Sequence, residues 1–235
     1  MFFLSKKKNL IESGTLRGTI DRHSHILPGV DDGIKTIDDS LKLLDLMEEA
    51  GVAEVWLTPH IMEDIPNTID GLKARFEQLL NAYKGSIKLH LAAEHMLDNL
   101  FSERFAKKEL LTMEDDLLLV ETSYFNPPYG FENTLKEIMS KGYRPLLAHP
   151  ERYKYMDMKD YARLKEAGVL FQLNLGAING GYSPETQKKA KKILEKGWYN
   201  FFGSDVHSIR QYKNITSTPI SKKLIKAVES IPGTI

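Results

Sequence analysis

The chain concentrates its chemistry in short clusters of histidine and carboxylate. The densest is Asp21-Arg22-His23-Ser24-His25, followed by Pro28-Gly29-Val30-Asp31-Asp32-Gly33. Side chains alternate faces along a strand, so a strand here projects Asp21, His23 and His25 on one side. Successive members of that row stand roughly 6.6 Å apart, close enough for both imidazoles to reach one ion. Two histidines at spacing two beside a carboxylate, with more acids in the next turn, indicate a metal site rather than packing. Further candidates follow singly: His60 in Thr58-Pro59-His60, Glu94 in Ala92-Ala93-Glu94, and Glu121 closing Leu118-Leu119-Val120-Glu121. His149 stands in Ala148-His149-Pro150-Glu151-Arg152, and Asp205 with His207 in Gly203-Ser204-Asp205-Val206-His207.

Composition limits what these groups can do. Cysteine is absent, which excludes a disulfide framework, a thiolate zinc cluster and a cysteine nucleophile, and leaves nitrogen and oxygen as the metal donors. Such a chain fits a reducing cytoplasm. Lys+Arg 32 balance Asp+Glu 32, so no overall field favours nucleic acid or an anionic membrane. No apolar run approaches the ~20 residues that span a bilayer. Met1-Phe2-Phe3-Leu4 is too short for a signal core, and Lys6-Lys7-Lys8 follows rather than precedes it. Residues 1–18 therefore read as a solvated arm ahead of a single domain over 19–235. Oligomeric state is not legible.

The elements that must position the clusters are short apolar runs alternating with amphipathic stretches. Strands are expected at 19–25, 53–58, 87–92, 117–121, 144–148, 169–174 and 200–203, and helices at 38–50, 69–82, 130–141, 158–166 and 184–196. Gly51, Gly142, Gly168 and Gly197 each close a helical stretch, and Ser183-Pro184 reads as an N-cap followed by an N1 proline. Strand–helix alternation predicts a parallel sheet. Seven evenly spread strands with no evident edge favour a barrel. In such barrels the carboxyl ends of all strands meet at one face, which would gather candidates from six separate segments.

The ordered pattern D-x-H-S-H-I-L-P-G-x-D-D-G, T-P-H, A-x-E, H-P-E-R and G-S-D-x-H resembles the polymerase-and-histidinol-phosphatase (PHP) superfamily. Within it, the chain is most similar to the bacterial manganese-dependent protein-tyrosine phosphatases of capsule and exopolysaccharide operons. The resemblance runs from about Asp21 to His207 and implies a single-domain distorted (β/α)7 barrel with three divalent ions, manganese first among manganese, iron, zinc and cobalt. It implies one ion on His23, His25, Glu94 and Asp205, a second on Glu94, Glu121 and His149, and a third on Asp32, His60 and His207. Arg152 and Arg210 match phosphate-binding arginines, and Asp21 matches an acid that orients a ligand histidine. The implied partner is a phosphotyrosine protein, an autophosphorylating kinase of polysaccharide export.

Three divalent ions on four carboxylates leave a formal charge of about +2, about +1 with a bridging hydroxide, and about +3 once the arginines are added. Such a pocket suits a dianionic phosphate monoester. Water on a divalent ion ionises near pH ~7–9, so in-line attack by hydroxide is expected without a covalent phosphoenzyme. Asp32 or a metal-bound water would serve as the acid. Tyr124-Phe125-Asn126-Pro127-Pro128-Tyr129 offers either an apolar wall for a tyrosyl substrate or a pinned loop.

Two residues depart from the family pattern: Arg22, expected by alternation to face the helix layer, and His95 after Glu94. Either they are tolerated structurally or they reshape the pocket. The alternatives are another phosphoester, such as histidinol phosphate or a triester, and a non-catalytic metal-stabilised regulatory domain.

Overall fold

The computed structural model describes residues 7–234; residues 1–6, where part of the basic arm falls, lie outside them. Among the described residues nine strands occur in chain order: β1 (Ile20–Ser24), β2 (Glu54–Leu57), β3 (His60–Ile61), β4 (Lys88–Leu91), β5 (Glu94–Met96), β6 (Leu117–Glu121), β7 (Arg144–Ala148), β8 (Leu170–Asn174) and β9 (Phe201–Gly203). The helices are α1 (Leu10–Ser13), α2 (Ile37–Glu49), α3 (Ile69–Ala82), α4 (Phe101–Ala106), α5 (Phe131–Ser140), α6 (Met158–Glu166), α7 (Leu175–Ile178), α8 (Pro184–Glu195), α9 (Ile209–Ser217) and α10 (Lys222–Glu229). All named strand pairs are parallel, in the orders β1-β2-β4 and β3-β5-β6-β7-β8-β9.

Two sheets appear where one was expected because two strands are interrupted. Thr58-Pro59 separates β2 from β3, and Ala92-Ala93 separates β4 from β5. Proline has no N–H to give a ladder. The register nevertheless passes through the break without slipping: Glu54 pairs Lys88, Leu57 pairs Leu91, and His60 pairs Glu94. Ala92 N donates to Leu57 O at 2.9 Å and Glu94 N to Pro59 O at 3.1 Å. At the far edge Ser24 bridges Val206 in parallel, with Asp205 N donating to His23 O at 2.8 Å and His25 N to Val206 O at 3.0 Å. The result is a strongly curled parallel sheet with helices packed outside.

Period-two alternation divides the strand side chains between two cores. Leu118, Val120, Leu147, Phe171, Leu173 and Phe202 join the helices in the larger cluster. Their strand neighbours Leu117, Leu119, Leu146 and Ala148 pack with Trp56, Ala92 and Met113 inside the curl, with Ile20, Leu170 and Phe201 against them. Most helix starts are fixed by side-chain caps, α4 and α5 excepted. Thr36 accepts from Asp39 N at 3.2 Å ahead of α2, and Ser183 from Thr186 N at 3.1 Å ahead of α8, each contributing about 1 kcal/mol. On α2 the face bearing Leu43, Leu44 and Met47 is buried.

The solvated arm does not extend across residues 8–18. Lys7 and Lys8 are exposed, but Lys8 bridges Ile220, and Leu10 and Leu16 are buried in the main core. Their apolar area needs cover, and the short capped α1 provides it.

Candidate metal centre

The inner face of each strand changes from apolar to polar at its carboxyl end. On β6 Leu117, Leu119 and Glu121 share a face, and on β8 Leu170, Gln172 and Asn174 do so. The functional side chains therefore rest on a dry floor of leucines. His149 and Asp205, each just past a strand, adopt left-handed φ of +34° and +51°, an unfavourable conformation for a residue with a Cβ.

His23 Nε2 lies 3.1 Å from His25 Nε2, 3.1 Å from Glu94 Oε2 and 3.5 Å from Asp205 Oδ1. His25 Nε2 lies 3.3 Å from Glu94 Oε2 and 3.4 Å from Asp205 Oδ1. Two donors bound at about 2.1 Å to one ion stand roughly 3.0 Å apart at right angles and 3.4 Å apart tetrahedrally. These separations are thus the edges of a coordination polyhedron. Beside it, His60 Nδ1 lies 3.2 Å from Glu94 Oε2 and 3.1 Å from Glu121 Oε1, and His149 Nε2 lies 3.0 Å from Glu94 Oε1. At the mouth, His207 Nε2 and His60 Nε2 lie 3.3 and 3.6 Å from Asp32 Oδ1. His23–His25–Glu94, His60–Glu94–Glu121 and His25–Asp32–His60–His207 each offer ligand atoms within 4.8 Å of one another.

The tautomers suit a cation. His23 Nδ1 meets Gln172 Oε1 at 3.0 Å, His25 Nδ1 meets Asp31 Oδ2 at 2.8 Å, and His207 Nδ1 meets the Asp205 carbonyl at 2.9 Å. Each partner is an acceptor, so Nδ1 carries the hydrogen and the Nε2 lone pair points into the cluster. While the rings are neutral, lone pairs then face carboxylate oxygens with no hydrogen between them, and Glu94 Oε2 and His60 Nδ1 are buried without a hydrogen-bond partner. A buried acceptor in that state is costly. A divalent ion removes the conflict, so the residues present fit one.

The same crowding shifts the titrations. Burial favours a neutral His23, but the Glu94 and Asp205 carboxylates outweigh it and lift the ring to about 9. Burial opposes ionisation of Glu94, yet the surrounding histidines hold it well below the usual carboxylate range. The His207 hydrogen bond does the same for Asp32.

All nine ligands expected from the sequence come together here. Two allotments differ: His60 faces both the Glu94–Glu121 pair and Asp32, and His25 joins the mouth group. Asp21 parts company with the histidines. The β1–β2 register is irregular between Asp21 and Ser24, which breaks the alternation. Asp21 Oδ1 accepts from Ser204 N at 2.9 Å and His23 N at 3.2 Å, bracing backbone rather than an imidazole. The same irregularity turns Arg22 inward, against expectation. Its guanidinium lies 4.5 Å from the Phe201 ring and 3.0 Å from Glu114 Oε1. His95 is buried, its Nε2 accepts from Leu111 N at 3.3 Å, and burial pushes it down to about 4. It is a neutral packing group.

Arg152 enters the cluster through Asp205, donating from Nη1 to Oδ2 at 2.8 Å. Arg210 instead lies exposed on α9, lining a cleft of about 420 Å³ with Tyr182 and Asn179. In the aromatic loop Tyr124 is held against Arg152 and His149, whereas Phe125 and Tyr129 are exposed. The orienting groups Asp31 and Gln172 escape sequence reasoning. Asp31 sits beside Asp32 with nothing to separate their roles, and a strand glutamine carries no signal. Glu151 is buried, pushed up to about 7 by that burial, and accepts from Asn174 N at 2.9 Å and the Tyr199 hydroxyl at 2.8 Å.

A curled α/β sheet holding a buried histidine–carboxylate cluster at its strand ends defines a candidate metal-dependent enzyme. Residues 19–227 match the capsular polysaccharide synthesis family CpsB/CapC, and the chain belongs to that family. The tyrosine-protein phosphatase YwqE of Bacillus subtilis is 27% identical over 198 residues, spanning 81% of this chain and 78% of its own. The tyrosine-protein phosphatase CpsB of Streptococcus pneumoniae is 28% identical over 210 residues, spanning 81% and 83%. Crystallographic work on YwqE and CpsB, described as unique metal-dependent tyrosine phosphatases, supplies a matching fold. Its TM-score is 0.77 at 23% identity, covering 91% of this chain and 87% of that one.

Proposed function

We propose that the chain is a metal-dependent phosphatase of protein phosphotyrosine that acts in the regulation of capsule or exopolysaccharide synthesis. The observation that carries this reading is the convergence of nine donor side chains on one cluster, seven of them buried, with three of the histidines having Nε2 freed by an acceptor at Nδ1. Relatives named as tyrosine-protein phosphatases support the choice of substrate. The two sheets are read as one distorted (β/α)7 barrel, with β2–β3 and β4–β5 as single interrupted strands and the 206–24 bridge as its closure.

His23, His25, Glu94 and Asp205 would hold one ion, Glu94, Glu121 and His149 a second, and Asp32, His60 and His207 a third. Manganese is preferred, on the family resemblance. When bound, divalent ions supply neutralising charge for the phosphoryl oxygens and activation of the attacking water. Arg152 adds a fixed cation at the same place, and Arg210 a second at the cleft. The carboxyl of Asp32, held ionised by His207, fits a ligand better than a proton donor. A departing phenolate needs little protonation. The substrate is a phosphotyrosine protein, with an autophosphorylating kinase of polysaccharide export as the partner and the cytoplasm as the compartment. Among the described residues no helix is long and apolar enough to cross a membrane.

The test is hydrolysis of p-nitrophenyl phosphate and of a phosphotyrosine peptide by chelator-stripped protein, with and without manganese. Turnover of both restored by manganese is expected. Metal binding without turnover of either compound refutes the phosphatase reading.

A further inference from the structure

A guanidinium offers two faces and three edges, and in Arg152 most of these are taken. The Tyr124 ring centroid lies 4.2 Å from Cζ and the Tyr182 centroid 4.5 Å, while Nη1 donates to Asp205 Oδ2 at 2.8 Å. The remaining side-chain N–H groups have no protein partner among the described residues, in a side chain that is 19% exposed. An arginine gripped in this way cannot swing. It presents its free N–H groups beside a cluster suited to cations, where an anion would be received.

Tyr182 is itself held from below. Its hydroxyl accepts from Asn174 Nδ2 at 2.7 Å and stands 3.4 Å from Asp205 Oδ2. Asn174 is fully buried, and the same amide nitrogen donates to Asp205 Oδ2 at 2.6 Å. Its Oδ1 accepts from Gly176 N at 2.8 Å and its backbone N donates to Glu151 Oε1 at 2.9 Å. One amide therefore ties the aromatic ring, the carboxylate and the arginine into a single unit. Tyr182 is 37% exposed, a large ring kept at the surface by polar anchors rather than by burial.

We propose that Tyr182 is a positioning residue, which with Tyr124 clamps Arg152 so that its open edge is pre-set for the phosphoryl oxygens of the substrate. The proposal rests on the phosphatase reading. Its physical basis is that an unclamped arginine loses rotamer freedom on binding the anion, whereas a clamped one has already lost it. Ring and cation also attract directly.

A double-mutant cycle tests it. Wild type, Tyr182→Phe, Tyr182→Ala, Arg152→Ala and the Arg152→Ala/Tyr182→Ala pair are reconstituted with manganese. Turnover of p-nitrophenyl phosphate and calorimetric binding of inorganic phosphate are then measured. Tyr182→Ala should weaken phosphate binding and kcat/KM about tenfold, and Tyr182→Phe, which keeps the ring face, by no more than about threefold. In the Arg152→Ala background Tyr182→Ala should change either quantity by less than about twofold, because its effect runs through the missing arginine. Equal losses in both backgrounds, or a phenylalanine variant as damaged as the alanine one, overturn the clamp. If Tyr182→Ala does not fold, Tyr182→Leu takes its place in the cycle with the same criteria. Wild type that binds phosphate without turning over the ester sinks the phosphatase reading and leaves the phosphate cycle to decide the clamp. Wild type that does neither sinks both.

Discussion

Substituting Gly203→Ala asks whether the position of His23, and not only its identity, sets metal affinity. A Cβ on Gly203 would stand 2.4 Å from His23 Cβ, 2.9 Å from His23 N and 2.9 Å from Gln172 Nε2. Carbon atoms in contact settle at about 3.5–4.0 Å, so His23 must retreat by on the order of 1 Å. Rotating the ring does not help, because the clash is with its Cβ and backbone. Gln172 cannot yield freely either, since it holds His23 Nδ1 at 3.0 Å. Metal–ligand distances tolerate about 0.2 Å, so the displacement exceeds the tolerance several-fold. Overpacking of this size costs about 1–3 kcal/mol of stability, and a 1 Å misplacement costs roughly 100-fold in turnover. The assay is manganese titration followed by p-nitrophenyl phosphate hydrolysis, with urea unfolding alongside. Gly142→Ala serves as control: its φ is +91° but nothing lies within 4 Å of the new Cβ, so it should lose stability by strain and keep its turnover. Gly203→Ala protein with manganese dependence and kcat/KM within about threefold of wild type would refute the reasoning.

Three further outcomes are expected. Asp31→Asn, which weakens the acceptor at His25 Nδ1 (2.8 Å) and His60 N (3.2 Å), should lower manganese affinity about 10–100-fold by calorimetry; unchanged affinity would mean that packing alone aims His25. Manganese binding should tighten as pH rises towards about 9. The metal-free His23 is lifted to about 9 by Glu94 and Asp205 against burial, so below that pH a proton must leave when metal enters, and an affinity flat from about pH 6 to 8 would exclude such a coupled proton. Arg22→Leu should shift stability by no more than about 1 kcal/mol, in either direction, with turnover intact. Its guanidinium is buried with Nε unpartnered, and its one ion pair reaches the half-exposed Glu114, an arrangement that an apolar isostere replaces at little cost; a loss above about 3 kcal/mol by urea unfolding would show that the pair is structurally required.

The strands and long helices were legible because their signals are local. Short apolar runs such as 117–121 and 144–148, and the helices 69–82 and 158–166, match the observed bounds of β6, β7, α3 and α6. What escaped was short or depended on tertiary context. α1, α4, α7 and the 3₁₀ turn Pro150–Arg152 span only a turn or so, too little for a periodic pattern. α9 and α10 follow the last ligand motif and have strongly amphipathic faces that no strand signal brackets. The candidate ligand residues stand out as chemistry, since histidines beside strand-end acids have few structural uses. Their orientation was not legible. Strict alternation along β1 would place Asp21 with the histidines and Arg22 outside, and a single register irregularity reverses both. A bulge has no reliable sequence mark, and the reading fails there for that reason.

The depth of the site follows from the same alternation. Each inner strand face reaches its polar residue only after one or two apolar ones, so the ligands stand where the leucine floor ends. A low-dielectric floor strengthens every charge interaction above it. That gain is useful only if the charges cannot relax, and the backbone enforces this at two points. His149 and Asp205 leave their strands in the left-handed region, turning side chains inward that an extended continuation would carry past the cluster. Such a conformation costs about 1–3 kcal/mol for a residue with a Cβ, less for aspartate than for histidine. Hydrogen bonds hold the strained turns closed: Asp205 N to His23 O at 2.8 Å, Arg152 N to His149 O at 2.9 Å, and His207 Nδ1 to the Asp205 carbonyl at 2.9 Å. The last of these bonds also sets a histidine tautomer. Strain at the strand ends and readiness for metal are therefore one arrangement, and a variant that relaxed either turn would be expected to gain stability without metal and lose affinity for it.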